Sequence, residues 1–309
     1  MKLVMSYLII CLFSFSIFAD GTSLLDSNVN VSGFGNIRYR APINNNDKKP
    51  IVLFHGIYGG ASHRTWRKVL PILDQAGERV FIMDLPGVGD SDKPKRAYSL
   101  ADMDVFVESF LTEVVKERAT LVSESILSNG VLKISATRPD LVRRAVIVNP
   151  SGIFSLIEGP SPREQGLYDR LFNNDVAASA FYKNLLNPNS LRYFLEFGFN
   201  DVTLIDDDLL ADFLAVRDNV DQRFLTLSFV GGQLFRSFEE SSDGVFIPVL
   251  AIFGKEYKAF QDNKVAKAED FEKIRPFFDY VEIEGSSSSV QREKPNEVAQ
   301  MIIDFSILD

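Results

Sequence analysis

Residues 122–127, with the sequence VSESIL, stand where a short apolar run at 120–122 turns into a helical pattern. A serine in the middle of such a strand-to-helix turn, here Ser125, is displayed on a sharp bend at the end of a strand. Further apolar runs, at 51–54, 79–83, 145–148, 248–253 and 280–283, are separated by glycine-bearing loops or helical patterns. This alternation predicts an α/β fold with a mostly parallel, doubly wound sheet that carries helices on both faces.

Four motifs occur in a fixed order along the chain. FHGIYGG (54–60) and DLPGVGDS (84–91) each follow a strand, VSESIL comes third, and PVLAIFG (248–254) is followed by QREKP (291–295). In this order the motifs resemble the α/β-hydrolase superfamily, in the lid-containing branch of esterases and haloalkane dehalogenases. The resemblance covers roughly residues 29–309 and implies an α/β-hydrolase fold with a helical lid between strands 6 and 7.

The stretch between the third and fourth motifs has helical patterns at 165–172, 175–186 and 209–216 and no obvious central strand. We therefore expect a first core segment at 20–150, a helical lid insertion at 151–245 and a second core segment at 246–309. Another helix, predicted at 99–117, has Ser99 as its N-cap.

The resemblance also assigns a site. Ser125 takes the nucleophile position, the N–H groups of Ile57 and Ile126 form the oxyanion hole, and His55 and Gly56 form the cleft turn. The nucleophile turn departs from the family pattern G-x-S-x-G, because Leu127 is bulky where helix and strand pack closely. An ordinary helix-capping serine therefore remains an alternative role for Ser125.

Two positions of the expected catalytic triad are replaced. The family's acid falls on Tyr257, and tyrosine, with a pKa of about 10, cannot serve as an anionic partner near neutral pH. The family's Gly-His pair falls on Ser287 and Ser288, and a serine is no general base there. The chain has only two histidines. We expect His55 to hydrogen-bond within its own turn, with a role as base as the alternative, and His63 to lie on the surface at a helix start.

Composition narrows the remaining chemistry. The net charge of −9 argues against a nucleic-acid surface. The residue pattern supports no metal site and no cofactor, since there is neither a cluster of ligand residues nor a phosphate-binding loop. Cys11 is the single cysteine and lies in an apolar N-terminal run.

That N-terminal run, at 8–18, follows Lys2 and precedes Ala19. It predicts a signal peptide over 1–19, cleaved near Ala19, and a protein exported to the periplasm or the medium. The run is short for a transmembrane helix, so no stable membrane span is expected. An uncleaved interfacial anchor is the alternative.

Two functions remain open from sequence alone. The first is a non-catalytic hydrolase homologue that binds a small apolar molecule or a protein partner. The second is a weak or unusual serine hydrolase, esterase-like, that uses Ser125 with the Ile57 and Ile126 N–H groups. Loss of two triad members favours the first, because one such loss already costs several orders of magnitude in rate.

Overall fold

The structure is a computed structural model, and it describes residues 24–151, 153, 159–257 and 268–307. The signal-peptide prediction over 1–19 lies outside these residues. Within the described part of the chain, no helix is long and apolar enough to cross a membrane.

The sheet contains eight strands. They are β1 (Ser27–Val31), β2 (Gly35–Arg40), β3 (Ile51–Phe54), β4 (Val80–Met83), β5 (Ala119–Glu124), β6 (Val142–Val148), β7 (Val249–Gly254) and β8 (Asp279–Ile283). Their order is β1-β2-β4-β3-β5-β6-β7-β8. Strand β2 is antiparallel to both of its neighbours, and the pairs from β4 to β8 are all parallel. The predicted fold class is confirmed.

The helices are α1 (Leu70–Gln75), α2 (Leu100–Phe110), α3 (Leu127–Thr137), α4 (Pro162–Phe172), α5 (Asp175–Leu185), α6 (Pro188–Gly198), α7 (Asp207–Leu214), α8 (Arg223–Val230), α9 (Phe238–Ser242), α10 (Ala268–Ile274), α11 (Val290–Glu293) and α12 (Pro295–Ile307). As predicted, Ser99 caps α2, and Asp102 completes a capping box. Helix α1 has Pro71 in its first turn, where proline is tolerated although it is not in a helix interior.

The core has two layers, one on each face of the sheet. Alternate residues of each strand point to opposite faces. Leu53, Ile82 and Val146 pack in the layer that contains residues of α1 and α12. Val52, Phe81 and Ala145 pack in the layer that contains residues of α2 and α3. Helices on both faces leave the edge where the parallel strands end as the place for a site.

Helices α4 to α9 all lie between β6 and β7, and the described residues of this stretch contain no strand. This stretch is called the insertion below. It packs a small apolar cluster of its own, which includes Tyr182, Leu210 and Phe213, and Tyr58 of the core packs against that cluster. The insertion therefore lies against the loop that follows β3.

Candidate active site

Ser125 lies on the turn between β5 and α3 with a left-handed backbone, at a φ of 55°. This conformation costs a residue other than glycine roughly 1–2 kcal/mol. The Ser125 N–H donates to the Val148 carbonyl at 3.0 Å, which ties the turn to β6. Its hydroxyl oxygen lies 3.2 Å from that of Ser151. The strained turn thus presents a half-buried serine whose side-chain partner is another hydroxyl.

Two backbone N–H groups near this turn have no acceptor among the described residues. They belong to Ile57, which follows the His55-Gly56 turn, and to Ile126, which follows Ser125. Both residues are buried. Buried N–H groups without a partner are rare. Donors of this kind are suited to bind an oxygen that carries negative charge.

Glu124 is a buried carboxylate immediately before Ser125. Its Oε1 accepts hydrogen bonds from the Gly56 N–H and from the Tyr58 hydroxyl, each at 2.9 Å. The Gln291 amide donates to Oε2. Thr65 joins the group, with its hydroxyl 3.2 Å from that of Tyr58 and 3.3 Å from the Gln291 amide nitrogen. These contacts tie together the loops that follow β3, β5 and β8.

The Tyr58 hydroxyl remains a donor in this cluster. Burial, together with the negative charge of Glu124, raises the pKa of Tyr58 well above its ordinary value. The sequence analysis did not single out Glu124. The available signal was a carboxylate at the end of a buried strand, directly before the turn serine.

His55 is fully buried, and both of its ring nitrogens are engaged. Nδ1 lies 2.7 Å from the Gly56 carbonyl oxygen, and Nε2 accepts the Leu85 N–H at 3.0 Å. This pairing assigns the proton to Nδ1. Burial lowers the pKa of His55, although the charge of Asp84 opposes the shift. A neutral imidazole with both nitrogens bonded elsewhere offers Ser125 no free base.

His63 was expected on the surface, and this expectation is wrong. The residue begins a short 3-10 turn, as a helix start, but its side chain is buried. Nδ1 lies 2.9 Å from Asp84 Oδ1, and the His63 N–H donates to the same oxygen at 2.7 Å. The physical reason is the Asp84 carboxylate, which is buried at the end of β4 and needs donors.

The Asp84 carboxylate also accepts the Asp90 N–H at 2.7 Å. Burial disfavours the charged form, but the charge and hydrogen bonds of His63 hold the pKa of Asp84 well below its usual range. Asp84 and His63 therefore form a buried pair that fixes the loops after β3 and β4. No hydrogen bond among the described residues joins this pair to Ser125.

The expected acid position, Tyr257, follows β7. Its side chain is half-buried, and burial raises the pKa of its hydroxyl. The neighbouring Glu256 is bonded to the Ser286 backbone, accepting its N–H at 3.0 Å and donating its own N–H to the Ser286 carbonyl at 3.0 Å. Neither side chain hydrogen-bonds to Ser125 or to a histidine in the described part of the chain.

The expected histidine position lies in the serine loop, residues 286–289. This loop is held through its backbone: the Ser287 N–H donates to Glu293 at 2.6 Å, and the Ser288 carbonyl accepts from the Asn149 amide at 2.9 Å. Gly254 approaches so closely that an added Cβ would lie 2.0 Å from the Ser287 carbonyl oxygen. The loop therefore keeps a defined shape without an ionisable side chain at Ser288.

The end of α6 lies against this serine loop. The Ser289 N–H donates to the Gly198 carbonyl at 2.9 Å, and a Cβ added at Gly198 would lie 3.2 Å from the Ser288 hydroxyl oxygen. Glu293 accepts the N–H groups of Asn200 and Asp201 at 2.9 and 3.0 Å. The insertion is thus joined to the serine loop, where the sequence predicts the histidine position.

The sequence is similar to those of known α/β-hydrolase-fold proteins. A family model described as alpha/beta hydrolase fold matches residues 49–198. A haloalkane dehalogenase from Psychrobacter cryohalolentis is 33% identical over 122 residues, which cover 37% of this chain and 38% of the relative. A 2-hydroxymuconate semialdehyde hydrolase from Pseudomonas sp. is 29% identical over 158 residues, covering 45% of this chain and 55% of the relative. The matches span less than two thirds of either relative.

Solved structures extend the likeness over most of the chain. A serine hydrolase involved in carbazole degradation superposes with a TM-score of 0.70 at 21% identity, covering 90% of this chain and 97% of that chain. The enol-lactonase from Burkholderia xenovorans gives a TM-score of 0.70 at 19% identity, covering 90% and 99%. Both likenesses concern the fold.

Proposed function

We propose that this chain, which has the α/β-hydrolase fold, belongs to that superfamily and binds a small apolar ligand at Ser125 without hydrolysing it. One observation carries the proposal. The Ser125 hydroxyl is bonded to the Ser151 hydroxyl, while both nitrogens of His55 are engaged and His63 is paired with Asp84. A serine without an adjacent base is a weak nucleophile.

The proposed class of ligand follows from the hydrogen-bond donors present near Ser125. The Ile57 and Ile126 N–H groups have no acceptor among the described residues and lie at the end of the sheet with Ser125. A carbonyl or carboxylate oxygen satisfies such donors, and ligand clefts are otherwise mostly apolar. We therefore propose an apolar ligand that carries one such oxygen, for example an ester or a medium-chain acid.

The insertion and the N-terminus complete the proposal. Contacts from Gly198, Asn200 and Asp201 to the serine loop and Glu293 support a lid role for the insertion, with the core formed by residues 20–150 and 246–309. The apolar run before Ala19 supports export. The intact mass of the native protein tests export, since a mature chain beginning at or near Asp20 is expected.

A second candidate is a weak serine hydrolase, with the acid and histidine positions empty of their usual groups. It is favoured by the strained backbone of Ser125, which costs free energy and persists here. The relatives named above are enzymes by name, a dehalogenase and hydrolases. Under this alternative, Ser125 reacts slowly with activated acyl groups while the Ile57 and Ile126 N–H groups stabilise the oxyanion.

The deciding experiment combines labelling with binding. The mature protein is incubated with a serine-reactive fluorophosphonate and with short and medium acyl nitrophenyl esters, and Ser125→Ala is the control. We expect no stoichiometric labelling and no turnover above that of the variant. Labelling that Ser125→Ala abolishes establishes the hydrolase instead.

Binding is measured as a thermal shift with a medium-chain ester and with the ether of equal length. A ligand at about 100 times its dissociation constant stabilises a protein by about 2.7 kcal/mol. The ester should bind about fivefold more tightly than the ether, because only its carbonyl accepts the two N–H groups. If neither compound shifts the melting curve, the cleft binds no such ligand, and a surface for a protein partner becomes the better interpretation.

A further inference from the structure

A small pocket lies between the core and the insertion, and Ser125 is not among its lining residues. It is lined on the core side by Thr65, Arg67, Lys68 and Arg292, and on the insertion side by apolar residues and Asp206. We propose that this pocket binds a small anion, such as a halide or one end of a carboxylate or phosphate.

Arg292 has a largely buried side chain that approaches a carboxylate only at a distance. Its side chain is only 7% exposed, and it makes no side-chain hydrogen bond within the described part of the chain. The nearest paired carboxylate oxygen, in Asp212, lies 3.9 Å away. The group lies over the Phe213 ring, 4.8 Å from its centroid. A guanidinium with several N–H donors and no hydrogen-bond acceptor among the described residues favours an acceptor in the pocket that it lines.

The neighbouring carboxylates are already engaged. Asp212 accepts a hydrogen bond from Arg67 at 2.8 Å, which is much shorter than its distance to Arg292. Asp206 caps α7 by accepting the Leu209 N–H at 2.8 Å. Asp208 lies 4.0 Å from Arg67 and is 84% exposed to solvent. The pocket lining therefore contains three cations, Arg67, Lys68 and Arg292, and a single carboxylate. That carboxylate, Asp206, already accepts a hydrogen bond at the start of α7.

The pocket's size and walls select the ligand. Its free space is about 10 Å³, which suits a group the size of a water molecule. Phe199 and Leu209 close the insertion side, so a compact charge is accommodated and a hydrated cluster is not. Because Arg292 belongs to α11 and Phe199 follows α6, a bound anion links the insertion to the core.

The test is a melting-temperature titration of the mature protein with sodium chloride, sodium phosphate and sodium acetate. Ionic strength is held constant with a bulky sulfonate that does not fit the pocket. At least one anion should raise the melting temperature along a saturable curve, reaching about 4 °C at a hundredfold excess over its dissociation constant. The three arms distinguish a halide from a phosphate or a carboxylate.

Arg292→Met removes the charge and keeps an unbranched side chain, and it should abolish the saturable shift. Arg192→Met is the matched control, because Arg192 is an exposed arginine of α6 that does not line the pocket; it should leave the shift unchanged. If Arg292→Met does not fold, Lys68→Met at an exposed position should weaken anion affinity several-fold. No saturable shift with any anion, or an equal shift in the pocket variants, overturns the proposal.

Discussion

The loops at the edge where the parallel strands end form two groups. The first half comprises the loops after β3, β4 and β5, the second half those after β7 and β8, and the two differ in which side chains form their hydrogen bonds. After β3, β4 and β5, the loops are held by buried side chains. Glu124, Asp84 and His55 each accept a hydrogen bond from a backbone N–H group. After β7 and β8, backbone groups of the serine loop (286–289) bond to the side chains of Glu256, Glu293 and Asn149, and the side chains of Tyr257 and Ser288 take no part. The second half contains Tyr257 and Ser288, the residues that the sequence resemblance places at the acid and histidine positions.

This difference shows which losses a fold can tolerate. A buried carboxylate that satisfies several donors cannot be removed without leaving those donors unpaired. At Ser288, by contrast, the hydrogen bond belongs to the backbone carbonyl, and the hydroxyl makes none within the described part of the chain. The side chains at positions 257 and 288 can therefore change without loss of a hydrogen bond, while the loops around Glu124 and Asp84 depend on those carboxylates.

The largest expected effect comes from rebuilding the second half. Tyr257→Asp together with Ser288→His supplies an acid and a base at the family's positions. If the backbone of the serine loop has kept its register, ester hydrolysis should rise by about 10²–10⁴-fold, the usual contribution of a general base. The measurement is the rate with nitrophenyl esters.

The control for this gain is the same double variant with Ser125→Ala added, which should return to the rate of the unmodified protein. A folded double variant that stays inert contradicts the idea that both halves remain in register. Gly198 packs against Ser288, so the end of α6 must shift to admit an imidazole.

The next largest effect is expected on the free energy of unfolding, which should fall more for a substitution in the first half than for one in the second half. Glu124→Ala leaves the Gly56 N–H, the Tyr58 hydroxyl and the Gln291 amide without their acceptor, and should lower the free energy of unfolding by about 3 kcal/mol. Ser288→Ala, its counterpart in the second half, should change it by less than about 0.5 kcal/mol. Urea denaturation of both variants decides, and equal losses would show that the two halves are held alike.

A smaller effect is expected at the turn between the halves. Ser125→Gly relieves the left-handed backbone, and after the entropy cost of glycine it should stabilise the protein by about 0.5–1 kcal/mol. Ser125→Ala keeps the strain and should not stabilise comparably. Thermal melting of both variants separates backbone strain from loss of the hydroxyl. A glycine variant no more stable than the alanine variant would argue against strain at this position.

The smallest effect concerns pH. Burial lowers the pKa of His55 in the folded state, whereas the unfolded chain has an ordinary value of about 6.5. The unfolded state therefore binds the proton first, so this contribution to stability is present above about pH 6.5 and is lost as the pH falls further. The negative charges of Asp84 and Glu124 oppose this lowering of the His55 pKa, and the neighbouring His63 adds to it.

The check is the pH dependence of the free energy of unfolding from about pH 7 to about pH 5. His55→Gln retains a donor and an acceptor for the Gly56 carbonyl and the Leu85 N–H, and should flatten the slope. An unchanged slope in this variant would assign the pH dependence to other groups.

Local patterns of apolar and polar residues predicted the strands of the sheet and the turn at Ser125. The runs at 51–54 and 248–253 became β3 and β7, and Ser99 caps α2 as expected. The helix α6 was missed, although Asn187-Pro188 marks its start with a capping residue and a proline. The surface placement of His63 failed, because nothing near His63 in sequence indicates that Asp84 would be buried beside it.

The sequence by itself determined that this chain has the α/β-hydrolase fold, with a serine at the nucleophile turn and no histidine beyond His63. These features depend on local patterns and on residue identity, which need no coordinates. Only the tertiary structure decided where the polar groups find partners. Glu124 meets Gln291, 167 residues later in the chain, and Arg292 is left facing a pocket. Burial makes each such group depend on partners that are distant in sequence, and only the folded chain brings them together.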